Sequence, residues 1–65
     1  MPNDCSPQWL IQDYNSGSYL SAILEGGNTL KWCRQQHKAI YYYSKADAQD
    51  DIRLLGINAV PVIIL

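Results

Sequence analysis

Cys33 and His37 stand four residues apart, and a thiol held against an imidazole is the pair from which nucleophilic catalysis is built. His37, the only histidine, falls in the polar connection Gln35-Gln36-His37-Lys38, beyond a run that reads as a strand and carries Cys33. Side chains so placed need not converge, and no third group is positioned to orient the base. Cys5 would make a third metal donor, but three donors without a second Cys or His pair fall short of a structural zinc site. Two cysteines are also too few for the disulfide framework of a small secreted domain, so two reduced thiols are expected. Asp47, Asp50 and Asp51 share one helical segment, where cap, dipole and solubility roles account for them. Glu25-Gly26-Gly27-Asn28 has the glycines of a phosphate loop but leads into a strand and lacks the Lys-Ser/Thr that holds a nucleotide. The expectation is a protein that is not an enzyme and has no catalytic residue, metal or cofactor.

The basic residues give a different signal. Lys31, Arg34, Lys38 and Lys45 are four of the five cations, and no Asp or Glu occurs between Glu25 and Asp47. Period-2 alternation puts Lys31 on the face opposite Leu30 and Trp32, together with Tyr19, Ile23, Cys33, Tyr41 and Tyr43. Rings that stack on bases beside cations that hold phosphates would suit single-stranded nucleic acid. A half-solvated sheet face with cross-strand tyrosine pairs explains the same residues. On a chain of net charge -1, four cations attract nucleic acid weakly at physiological salt.

The elements that must position these residues centre on Tyr19–Gln35. Two alternating runs flank Gly26-Gly27-Asn28, whose residue types supply the positive φ angles of a hairpin turn. Leu20, Ala22 and Leu24 share one face of the first arm, and Leu30 and Trp32 one face of the second. Upstream, residues 1–6 (MPNDCS) are expected to fray. The segment PQWLIQDY could be a two-turn helix capped by Ser6 or a strand closed by Asn15-Ser16-Gly17. The turn residues and the short length favour the strand. Downstream, Ala39-Ile40-Tyr41-Tyr42-Tyr43 has the composition of a strand. Ser44 then caps a helix over 45–55, with Ala48, Ile52 and Leu55 as its buried stripe and Gly56 as its left-handed stop. The last strand, Ala59–Leu65, is apolar on both faces, and Pro61 directs it to an edge. It can lie beside the Tyr41 strand by a right-handed crossover or at the far edge, antiparallel to the Trp9 strand, and the far edge is the preferred of the two.

The expected architecture is a single small α+β domain over residues 1–65. It is a mainly antiparallel sheet of four to five strands with one helix packed on one face, in the order β-β-β-β-α-β. In this frame Leu20, Leu24, Leu30, Trp32, Ile40, Ala48, Ile52 and Leu55 form the core. Tyr19-Leu20, the Gly26-Gly27 turn, Tyr43-Ser44, Ala48 and Leu55-Gly56 together resemble a family of small uncharacterised bacterial proteins. In that family a two-hairpin sheet leads into one helix ending in Leu-Gly and then a last strand. The similarity covers roughly residues 9–65; family members continue into a short acidic tail where this sequence ends at Leu65. The resemblance supports the fold and implies no activity.

A chain this small has one core and leaves much apolar surface near solvent. No run has the length of a membrane span, and residues 1–20 lack a signal-peptide pattern, so a bacterial or phage protein of the cytoplasm is expected. With one helix to cover one face, the second apolar side of the last strand is left open. Ile63 and Leu65 are expected there beside Tyr19, Ile23, Lys31, Tyr41 and Tyr43, with Val60, Val62 and Ile64 under the helix. That face implies a protein-binding module, with a homodimer, through sheet-face packing or pairing of an open sheet edge, as the first expectation. Nucleic-acid binding is the second reading. A phage- or mobile-element-borne inhibitor of a host protein fits the size and composition, though no residue argues for it.

Overall fold

The computed structural model describes residues 8–64. The alternating runs form β1 (Gln8–Asp13), β2 (Tyr19–Leu24) and β3 (Thr29–Cys33), followed by helix α1 (Lys45–Leu55) and β4 (Ala59–Ile64). The four strands make one sheet in the order β3-β2-β1-β4, every neighbouring pair antiparallel. The fold is thus α+β, β-β-β-α-β, with the helix on one face. Residues 8–13 are a strand and β4 is the far-edge partner of β1, both as expected.

Each turn is held by short-range chemistry. Asp13 accepts the Ser16 N–H at 2.8 Å, which holds its carboxyl below the usual range, and Gly17 takes φ 79° to start β2. Between β2 and β3 the positive φ angles fall on Glu25 (54°), Gly26 (66°) and Gly27 (100°), while Asn28 is right-handed. The turn therefore starts one residue earlier than the sequence suggests. Gly27 also lies close to the helix, since a Cβ there would sit 3.2 Å from Leu55 Cδ2.

The helix follows its signals. Ser44 Oγ accepts the Asp47 N–H at 3.1 Å. At the other end Gly56 adopts the left-handed conformation, its N–H reaching Arg53 O while the Ile57 N–H reaches Ile52 O. This paired closure is a Schellman motif, which sets Ile57 against Ile52. Ile11, Leu20, Ala48 and Ile52 form the buried centre, ringed by Trp9, Ile23, Leu30, Trp32, Ile40, Tyr42, Leu55, Ile57 and Ala59.

Three expectations change. First, residues 39–43 are not a strand. β1 and β2 pair only at Gln12↔Tyr19 and then diverge. The segment enters the fork between them: the Ile40 N–H bonds Leu20 O on one side, and Tyr42 exchanges two 2.8 Å bonds with Trp9 on the other. Only one of its residues is bonded on each flank, so no continuous ladder forms despite the strand-forming composition.

Second, the pairing of β2 with β3 shifts between Leu20↔Trp32 and Ala22↔Lys31, so Ser21 is an extra residue. This bulge reverses the alternation beyond it. Ile23 turns to the helix side, and Leu24, expected in the core, is exposed.

Third, β4 has the opposite phase. Ile57 and Ala59 pack on the core, while Pro61 and Ile63 lie opposite Ile11 and Trp9. Val60, Val62 and Ile64 consequently stand on the open face rather than under the helix.

Candidate interaction face

The face opposite α1 is assembled from four strands and the segment in the fork. From the β3 edge inward it presents Lys31 on β3 and Tyr19 and Ala22 on β2, with Leu24 at the end of that strand. Tyr41 and Tyr43 follow. They flank Tyr42, whose hydroxyl donates to Asp51 on the helix at 2.6 Å, so their own side chains take the other face. Next come Leu10 and Gln12 of β1 and then Val60, Val62 and Ile64 of β4. No described helix or strand covers this side.

Of the residues expected on this face, Tyr19, Lys31, Tyr41 and Tyr43 stand there and Ile23 does not. Ile63 is also displaced. It is half exposed at the end of the sheet, but on the helix side across from Trp9. Leu65 lies outside the described residues. Tyr19 is partly engaged by its own chain, because Gln36 Nε2 donates to its hydroxyl at 3.1 Å and lays the 36–38 turn beside it. Tyr41 and Tyr43 are the open aromatics, at 45% and 82% exposure, and Val60 adds an aliphatic side chain at 39%. Leu10 lies across from Val62 and is wholly buried although it points away from the helix.

The sequence leaves Leu10 unassigned, and covering β4 with the single helix puts Val60, Val62 and Ile64 on the wrong side. One signal could have found the β4 residues. A hydrophobic residue directly after the helix-ending glycine is the inward contact of a Schellman motif. Counting from Ile57 places Ala59, Pro61 and Ile63 inward and Val60, Val62 and Ile64 outward. For Ser21 the sequence carries no comparable mark.

Charge is distributed unevenly over this face. Lys31 is exposed on the edge strand, and Arg34 and Lys38 are exposed in the connection that follows it. The β1 and β4 residues on this face, Leu10, Gln12, Val60, Val62 and Ile64, are uncharged. Among the described residues the one ion pair is the solvent-exposed contact of Arg53 with Asp50 at 4.0 Å, so none of these three cations has a carboxylate within that reach.

Two of the candidate chemical groups hold local hydrogen bonds. The Cys33 thiol donates to Gln35 O at 3.2 Å, and His37 is exposed in a short turn. Asp51 accepts from Tyr42, whose hydroxyl is pushed above its usual pKa by burial and by that carboxylate. Cys5 lies outside the described residues. No described helix is long and apolar enough to cross a membrane. No protein-family model matches the chain, and no curated protein or solved structure proved significantly similar to it.

Proposed function

We propose that this protein is a non-enzymatic binding module of the bacterial cytoplasm that works through the sheet face opposite α1, with a second copy of itself as the first partner. The observation carrying this reading is the uncharged strip formed by Tyr41, Tyr43, Val60, Val62 and Ile64, which no described helix or strand covers. Apolar and aromatic side chains gathered on one sheet face of a small domain favour an interaction site over a purely solvated face. Aromatic side chains supply much of the contact energy at such sites.

The charge pattern favours protein over nucleic acid. A strand of nucleic acid needs cations that follow its phosphates past the stacking rings. Here β2 lies between Lys31 and the segment bearing Tyr41 and Tyr43.

Sedimentation velocity or light scattering at micromolar concentration tests the reading. A dimer is expected, with Val62→Lys returning it to a folded monomer. A wild-type monomer removes self-association and leaves the strip for a foreign protein. A low-salt complex with single-stranded DNA or RNA that is lost on Tyr41→Ala would instead establish the nucleic-acid reading.

A further inference from the structure

The outer edge of β3 offers a second surface, distinct from the apolar strip. β3 is the terminal strand on its side of the sheet and pairs only with β2. The direction of its free backbone groups follows from one bond. Leu20, the partner of Trp32, gives its carbonyl to the Ile40 N–H on the side away from β3. In an antiparallel pair both residues then turn their backbone groups outward, so the Trp32 N–H and C=O face the open edge. Alternation directs those of Leu30 the same way. Among the described residues nothing bonds to either. The two edges of the sheet are not equivalent, since β4 has Pro61 at its middle, without a donor, whereas β3 contains neither proline nor a bulge of its own.

The charge at this edge selects what can join it. Lys31 lies between the two outward-facing residues, and Arg34 and Lys38 follow the strand, all three exposed. A lysine on an edge strand is also a common guard against aggregation. That role and selective binding rest on the same physics. Pairing β3 with β3 of a second copy would bring like charges together, whereas an acidic strand would satisfy them.

We propose that β3 takes up an extended acidic peptide segment of another protein by strand addition. Backbone bonds form to Leu30 and Trp32, and the peptide carboxylates meet Lys31, Arg34 and Lys38. The site is independent of the self-association proposed above.

The test uses the intact chain and two synthetic peptides, alternating Glu-Val and alternating Lys-Val, followed by amide NMR. The Glu-Val peptide is expected to slow hydrogen exchange at the Leu30 and Trp32 amides and to lose affinity as salt rises. Lys31→Glu, a change at an exposed position, is expected to weaken it about three- to tenfold and to improve binding of the Lys-Val peptide. Three results would overturn the proposal. One is no binding of the Glu-Val peptide, or binding no stronger than that of the Lys-Val peptide. Another is binding that leaves the Leu30 and Trp32 amides unprotected. The third is protection of those amides in the free protein that grows with its concentration, which would assign the edge to a second copy. A monomeric chain that still binds the Glu-Val peptide would separate this site from the apolar strip.

Discussion

The two faces of the sheet carry similar side chains and have different fates. On one side Trp9, Ile11, Leu20, Ile23 and Trp32 share one core with Ala48 and Ile52 of the helix. On the other, Tyr41, Tyr43, Val60 and Val62 meet no described helix or strand, while Leu10 among them is wholly buried. Hydrophobicity therefore does not decide which residues of this chain are core. The decision belongs to phase, set by the Schellman motif at Gly56-Ile57 for β4 and by the Ser21 bulge for the second half of β2. Tyr42 stands at the junction. Its neighbours in sequence face outward, while its own hydroxyl joins the helix at Asp51.

The largest expected effect comes from the covered side. Ile52→Ala removes a nearly buried side chain from the centre of the helix contact and should cost about 2–5 kcal/mol in urea unfolding. A variant that unfolds at the parent midpoint would mean that the helix docks by another stripe, and the contrast between the faces would fail.

A smaller effect is expected at the junction. Tyr42→Phe deletes a bond to a carboxylate and should cost about 1–2 kcal/mol. The raised pKa of Tyr42 gives a second readout. A tyrosine whose folded pKa exceeds its unfolded value of about 10 contributes stability that is complete below that pH and lost as pH rises further. Wild type should therefore weaken above about pH 10 more steeply than Tyr42→Phe in thermal melts. Parallel pH profiles would show that Tyr42 does not tie the fork to the helix.

The smallest effect on stability is expected on the open side. Tyr43→Ser should change the unfolding free energy by less than about 0.5 kcal/mol, because the ring is mostly in solvent. The same variant should weaken self-association in sedimentation. A loss of stability comparable to that of Ile52→Ala would show that the open face is closed by contacts within the chain.

Of the sheet face opposite α1, Tyr19, Lys31, Tyr41 and Tyr43 are legible in the sequence, while alternation and helix coverage misplace Ile23 and Ile63. The first four lie before the bulge, across from β2 on its partner, or beside a residue whose direction is set by the helix. Ile23 lies just past the bulge, so alternation counted from Tyr19 gives it the wrong sign. For Ile63, helix coverage of β4 is a poorer guide than Ile57, the residue that begins the strand's phase.

The sequence by itself determined the β2–β3 hairpin, the helix with its Ser44 and Gly56 caps, the strand at Gln8–Asp13 and the edge position of the proline-bearing β4. Each of these is written within a few consecutive residues, as a turn, a cap, a period or a missing donor. Tertiary structure alone decided the fork between β1 and β2, the bulge at Ser21, and the reduction of Ala39–Tyr43 from a strand to a segment held by one partner on each side. Those features depend on where neighbouring strands pass and which of their backbone groups remain unsatisfied. A run of β-forming residues cannot encode that about partners distant in the chain.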